Sequence, residues 1–518
     1  MSYSTGAPQP PGTPPGPPPG EPGLPTSPWP ALWALVLGFF MILVDSTIVS
    51  IATPALMRHF DADINTVLWV TSAYLLAYAV PLLITGRLGD RIGPKRVYLA
   101  GLTVFTLASL WCGLTGSIGG LITARVVQGL GAAMMTPQTM SVITRTFPAE
   151  NRGQAMTLWG ATAGVATLIG PILGGVLIDS LGWEWIFFVN VPVGVLGLVL
   201  AWRLVPRLVT HSHTFDWIGV VLSAVGLFCG VFALQEGEAF DWGHIWGPFS
   251  VLRLLVLGAV LLVAFVWWQS RIRTEPLVPL SLFRDRNFSL ANIAITTVGF
   301  SVTSMIFPFT IYAQVVRGLS PTGAALLLAP QAVMAILLAR PAGRLIDRMH
   351  PRILIGVGLL GLVSALFVFS LLMRPSTPTW ALLLAAAALG VATTLAFGPL
   401  STTAARNLPR PMAGAGSGVY NTTRQMGSVL GSAAIAAFMQ ARIAANLHEY
   451  NGSAPGMGAT STAALPPAVA DAFSTALAQS MVLPAAVVVI GLLAALFLER
   501  PHHLRRASGT HSPRPGGA

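Results

Sequence analysis

Apolar runs of about 18 to 25 residues alternate along this chain with short turns rich in Arg, Gly and Pro. A helix rises about 1.5 Å per residue, so each run is long enough to cross roughly 30 Å of hydrocarbon. Inside lipid the backbone must bond within its own segment, which makes these runs helices rather than strands. Fourteen are expected, near 31–53, 66–85, 97–115, 119–140, 155–178, 187–206, 216–234, 250–269, 288–312, 322–342, 353–373, 379–399, 414–438 and 479–498. An even number of crossings places both chain ends on one side.

Two local patterns recur at a constant spacing. GRLGDRIGPKR at 86–96 returns as GRLIDRMHPR at 343–352, and GPILGG at 170–175 returns as GSVLGS at 427–432, both 257 residues later. A shared offset between unrelated patterns marks an internal duplication. Six helices with short loops fill only about 190 residues, so the seventh and eighth runs are read as an insertion between two six-helix repeats. The expected organisation is a Pro-rich disordered tail (1–30), a first bundle (31–206), two inserted helices with flanking loops (207–287), a second bundle (288–499) and a tail (500–518). The second bundle contains a long outer loop, 439–478.

Composition agrees with a lipid solvent: 54% of residues are hydrophobic and 9% charged, against roughly 25% charged in an average soluble domain. Cys112 and Cys229 lie in separate apolar runs and are read as packing residues. The first thirty residues hold twelve prolines and no Arg or Lys, which excludes a secretory signal with a basic start. A formal charge of +11 raises the question of nucleic acid, but the basic residues sit in short loops and act as topology signals. With a cytoplasmic N-terminus, 22 basic residues fall inside, five fall outside, and Arg125 and Arg424 lie within helices. Both termini are therefore expected in the cytoplasm.

Lys95 is the lone lysine and follows Pro94, so no phosphate-binding P-loop exists and ATP-driven transport by this chain is excluded. No histidine lies in a run, and no Cys or carboxylate cluster accompanies the pairs His211/His213 and His502/His503, so neither a metal nor a cofactor is expected. An enzyme is not expected either, because no nucleophile and base pair appears.

A charge inside the bilayer costs roughly 2.5–3.5 kcal/mol on insertion scales. Asp45 and Arg125 therefore require explanation. Helical rise puts Asp45 about 10 Å, and Arg125 about 9 Å, from the same outer edge, so the two can pair. Burial favours a neutral carboxyl and a nearby guanidinium favours an ionised one, so movement of Arg125 would switch protonation of Asp45. A static buried ion pair is the competing reading. Gly160, Gly164, Gly170, Gly174 and Gly175 with Pro171 permit close helix approach and a kink, though packing alone also accounts for them. Asp90 sits among four basic residues in the repeated turn and recurs at Asp347, the pattern of a latch between halves.

These motifs together resemble the major facilitator superfamily, and within it the fourteen-helix drug:proton antiporters of the quaternary-ammonium and multidrug exporter group. The cytoplasmic gating motif of that family is matched by Gly86, Gly89, Asp90, Arg91, Gly93 and Arg96. Arg125, Gln128, Gly129 and Gly131 match its helix 4 motif, and Asp45, Thr47 and Pro54 its helix 1 motif. Gly164, Gly170, Pro171, Gly174 and Gly175 match the antiporter motif. Departures include Ser50 and Thr53 in helix 1. Helix 10 (322–342) also lacks the acid found in exporters of divalent cations.

The resemblance implies an all-α membrane fold with two six-helix bundles and two additional helices between them. It implies a monomeric cell-membrane antiporter that exports lipophilic small molecules by alternating access, with protons carried by Asp45 under the influence of Arg125. It also implies a substrate cavity including Trp69, Tyr74, Tyr312, Gln314, Asn421, Arg424 and Gln425. Two other readings remain open from the sequence: an uptake symporter, and a sensor or scaffold that does not move solute.

Overall fold

A computed structural model describes residues 27–62, 64–210, 216–237, 240, 242–246, 249–272, 276–408, 412–447 and 466–499. The expected tails at 1–26 and 500–518, and the loop segment 448–465, lie outside the described residues.

The first half comprises α1 (Trp29–Phe60), α2 (Ile64–Ala79), α3 (Leu82–Ile92), α4 (Pro94–Leu114), α5 (Ile118–Thr146), α6 (Ala149–Leu181), α7 (Trp185–Phe188) and α8 (Asn190–Leu204). Next come α9 (Trp217–Glu236), a two-stranded hairpin of β1 (His244–Trp246) and β2 (Phe249–Ser250), and α10 (Val251–Arg271). The second half comprises α11 (Arg286–Ile311), α12 (Pro321–Leu327), α13 (Ala329–Arg348), α14 (Pro351–Leu372), α15 (Thr379–Arg406), α16 (Ala413–Leu447), α17 (Pro467–Ser480) and α18 (Val482–Leu496).

Helix starts repeat at the motif spacing. Trp29 and Arg286, Ile64 and Pro321, and Pro94 and Pro351 each open a helix and stand 257 residues apart. The first helices of the two halves are thus the same structural unit twice over.

Twelve helices among the described residues are long and apolar enough to span a membrane, or thirteen if α2 and α3, bent by 46° at their break, form one span. The expected count of fourteen is not reached. The shortfall falls at 155–178, within the 33-residue α6, several of whose side chains lie outside the described residues. The α2/α3 bend has a local cause, since Pro81 stands at the break and its ring cannot continue a helix ladder. At the other end of α3, Gly93 takes φ +96°, a left-handed conformation that suits glycine, and redirects the chain into α4.

In the first bundle α4 packs on α5 and α8, and α1 on α6 and α8. In the second, α11 packs on α16 and α18, and α14 on α15 and α18. The bundles meet where α6 lies against α13 and α15, and where α16 lies against α3 and α5. Helices α9 and α10 pair with each other beside this body, α9 touching α2 and α16. Asp216 ties their ends together by accepting from Gly219 N (2.8 Å), Trp268 Nε1 (2.9 Å) and Gln269 Nε2 (2.6 Å). Much of α10 is exposed, with Val263 70% and Leu252 66% accessible, as befits side chains facing acyl chains.

Candidate functional site

Three features stand out: a buried ion pair inside the first bundle, and a latch and a cavity between the bundles. The ion pair is built from α1, α2, α4, α5 and α8. Arg125 Nη1 donates to Asp45 Oδ2 at 2.5 Å, and both residues are fully buried. Asp45 Oδ1 accepts from Gln128 Nε2 and from Asn190 Nδ2, each at 2.9 Å. The carboxylate thus has three side-chain donors. Arg125 Nε donates to the Val70 carbonyl (3.0 Å), where α2 runs close by, and Nη1 also reaches Gln128 Oε1 (2.8 Å).

Ser109 completes the cluster, accepting from Gln128 and Asn190 and donating to the Phe187 carbonyl at 3.0 Å. The Arg125 guanidinium also lies over the Tyr74 ring, 4.0 Å from its centroid. Its Nη2 is buried with no hydrogen-bond partner. Such a pair is held by geometry as much as by charge, because desolvating two ions offsets most of their attraction. A shift of either helix therefore changes the balance at Asp45.

The latch is Asp90. Its Oδ1 and Oδ2 accept the backbone N–H groups of Gly414 (2.8 Å) and Ala415 (2.9 Å), in the first turn of α16. Those N–H groups have no partner within their own helix, and the positive end of the helix dipole adds to the attraction. Arg87 stands 3.9 Å from the same carboxylate. A Cβ on Gly86 would lie 2.5 Å from the Gly414 carbonyl oxygen, so only glycine permits this contact between lobes. Ser417 adds a hydrogen bond to the Pro137 carbonyl of α5 at 2.8 Å. The described conformation is therefore closed at the Asp90 end.

Gly170 and Gly174 bring α6 onto α1, where any Cβ would collide with Thr47 and Ile48, whereas Gly175 faces Thr322 of α12. Gly164 and Pro171 belong to α6, but their surroundings fall outside the described residues. Arg91 and Arg96 are exposed at the Asp90 end, and Gly89 packs against Gln138.

A cavity of about 80 Å³ lies between the lobes, lined by residues including Thr157, Gly160, Met305, Gln331, Thr394 and Phe397. Beside it, an apolar groove of about 440 Å³ runs between α1, α6 and α13 past Trp33, Phe40 and Ile336. Ala161 borders both.

The residues expected in one substrate cavity are dispersed. Tyr74 belongs instead to the ion-pair cluster, fully buried with its hydroxyl donated to the Ile42 carbonyl. Tyr312, also fully buried, donates to the Arg374 carbonyl at 2.7 Å, and Gln314 lies in the π-helical turn that it opens. Both tyrosines stand away from the cavity walls because backbone carbonyls take up their hydroxyls. Trp69 packs against Phe232 of α9 (5.6 Å between centroids). Asn421, Arg424 and Gln425 do share one stretch of α16. Ser109 and Asn190 were not anticipated; the available signal was a lone amide in the apolar run 185–199.

Paired helical bundles, a buried intramembrane ion pair and a carboxylate latch across the lobe interface define a polytopic membrane transporter. The chain matches the Major Facilitator Superfamily over residues 35–432 and belongs to that family. Members of this family are transporters and not enzymes. The chain is 53% identical to an uncharacterized MFS-type transporter of Mycobacterium tuberculosis over 477 residues, 91% of this chain and 81% of that one. It is 35% identical to the tetracenomycin C resistance and export protein of Streptomyces glaucescens, covering 81% of this chain and 78% of that protein. The human organic anion transporter MFSD10 shares the fold, with a TM-score of 0.60 at 13% identity over 90% of this chain and all of that one.

Proposed function

We propose that this protein is a proton-coupled antiporter that exports lipophilic small molecules, antibiotics among them, across the cytoplasmic membrane by alternating access. The observation that carries the coupling is the buried Asp45 carboxylate, held by Arg125, Gln128 and Asn190 beside an Arg125 nitrogen that has no partner. Protonating Asp45 removes the charge that Arg125 faces and frees the guanidinium to seek other acceptors. Helices α1, α2, α4, α5 and α8 all contribute to this cluster, so its rearrangement reaches the whole first bundle. Release of Asp90 from α16 then opens the Asp90 face, and the lobes rock about the cavity between them.

One proton moving inward across 100 mV is worth about 2.3 kcal/mol, enough to sustain a gradient of roughly fiftyfold. Apolar walls at the cavity and groove favour lipophilic substrates over sugars. The basic loops support cytoplasmic termini for a protein that acts as a monomer, with no bound cofactor. The test is Asp45→Asn in everted membrane vesicles under an imposed proton gradient. The variant should reach the membrane at normal levels and lose gradient-driven accumulation of ethidium or a lipophilic antibiotic. Accumulation equal to wild type would remove the coupling assignment.

A further inference from the structure

Helix α16 carries an unusual concentration of unsatisfied polar atoms. Asn421 Oδ1 and Arg424 Nε are buried with no hydrogen-bond partner, and the Tyr420 hydroxyl has only the Ser401 side chain of α15 beside it. At about 100° per residue these three positions fall within one arc of roughly 100°, so they present a single polar face. Tyr420 is fully buried and Asn421 likewise, while Arg424 is partly accessible.

Arg424 differs from the other interior arginines. Arg125 has Asp45 at 2.5 Å and Arg87 has Asp90 at 3.9 Å, whereas no carboxylate lies within ion-pair distance of Arg424 among the described residues. Its Nε is buried and unpartnered, and a guanidinium nitrogen held in an apolar interior without an acceptor is unfavourable, so its retention calls for a partner that arrives with the substrate. Reaching back to water past the Asp90 end does not relieve it, since every residue from Ala413 to Thr422 is buried.

Depth places this face beside the cavity. Arg424 is eleven residues from the start of α16, about 17 Å, and Phe397 of the cavity wall is nine from the end of α15, about 14 Å. Ser401, one turn beyond Phe397, adjoins Tyr420 and so links the two helices at this level. The polar side chains lining the cavity are Thr157, Gln331, Thr393 and Thr394, with no acid among them. The lining itself is neutral, and Arg424 stands at the same depth on α16, which packs against α11 of the cavity wall.

We propose that Tyr420 and Arg424 form an anion-recognition subsite, and that the exported molecules carry one acidic group, a carboxylate, sulfonate or acidic phenol, on a lipophilic frame. This inference rests on the export reading above and specifies its substrate class. The planar guanidinium fork would take two oxygens of the acid, with the Tyr420 hydroxyl as a third donor. The apolar cavity walls would take the frame.

The test uses everted vesicles carrying the full chain and three probes of comparable size and lipophilicity. These are anionic 8-anilinonaphthalene-1-sulfonate, neutral N-phenyl-1-naphthylamine and cationic ethidium. Wild type should accumulate the anion. Arg424→Gln should slow anion transport about tenfold or more while changing transport of the neutral probe less than about threefold, and Arg424→Lys, which keeps the charge and loses the fork, should recover only part of the loss. If Arg424→Gln does not reach the membrane, Tyr420→Phe carries the test through a raised KM for the anion with the neutral probe unaffected. Transport of ethidium but not of the anion by wild type overturns the inference and leaves export standing. So does an Arg424→Gln variant that moves the anion normally, or one that slows anion and neutral probe alike. Failure of wild type to move any of the three brings down the export reading, and this inference with it.

Discussion

The two lobes are copies in backbone and opposites in chemistry. Adding the 257-residue offset to Asp45, Ser109, Arg125 and Gln128 gives Val302, Leu366, Leu382 and Ala385. Leu366 and Leu382 are fully buried, so the second lobe closes with hydrocarbon at the place where the first holds an ion pair. The polar face of α16 shows the reverse asymmetry, since Tyr420 corresponds to Ala163 and Asn421 to Gly164 in α6. A duplicated scaffold tolerates either filling, because buried ion pairs and packed apolar groups of similar volume differ little in stability. The ion pair in one lobe only therefore reflects what that lobe does rather than what it needs to fold. In the proposed mechanism, proton handling falls to the first lobe and substrate handling to the second.

The strongest way to break this contrast is to give the first lobe the filling of the second. Arg125→Leu leaves Asp45 buried without its cation and should cost about 3–5 kcal/mol, read as a large fall in folded protein recovered from membranes and in Tm in detergent. Asp45→Val combined with Arg125→Leu, which copies Val302 and Leu382, should restore folded yield without restoring transport. A single variant as stable as wild type would mean that the pair is not closed as described.

Next in size is the latch. Asp90→Ala removes two hydrogen bonds to a charged acceptor, each worth about 1.5–3 kcal/mol, and should shift the lobes toward opening at that face. A cysteine placed at Ser417, now fully buried, should then react about tenfold faster or more with a membrane-impermeant thiol reagent. Native Cys112 and Cys229 are buried and give a low background. Labelling at the wild-type rate would argue against the latch.

Asn190→Ala removes one donor from Asp45 and leaves the Arg125 bond, so a loss of about 1 kcal/mol and a several-fold drop in transport are expected. Transport equal to wild type would exclude Asn190 from the coupling site. Smallest of all is Arg286→Ala, which breaks a pair with Glu499 that is about half exposed on both sides. Its effect should stay below about 1 kcal/mol, and a larger shift in Tm would show that the link between α11 and the chain beyond α18 bears more than a surface pair.

Pairing of Asp45 with Arg125 was legible because depth in a helix follows from residue count, and the two counts met at one level. The rest of the cluster was hidden. Asn190 reaches Asp45 across 145 residues and Ser109 across 81, and one-dimensional spacing does not specify which faces of α1, α4 and α8 meet. Asp90 stood out by its recurrence at Asp347, yet its partners are backbone N–H groups, which leave no mark in a sequence. Tyr74 and Tyr312 are expected beside substrate on the strength of the family resemblance. Their hydroxyls found carbonyls instead, and only the fold determines which buried donor meets which acceptor.

Hydropathy and repetition by themselves determined a membrane-embedded chain of long helices, its duplication, and the two charges that had to be reconciled with lipid. Those properties are one-dimensional: length against bilayer thickness, and the cost of a charge at a given depth. Tertiary structure decided which donors surround Asp45, that Asp90 closes the lobes through the start of α16, and that Arg424 has no carboxylate beside it among the described residues. These depend on helix rotation and on contact between lobes, and each turns on a few ångströms that no count of residues along the chain contains.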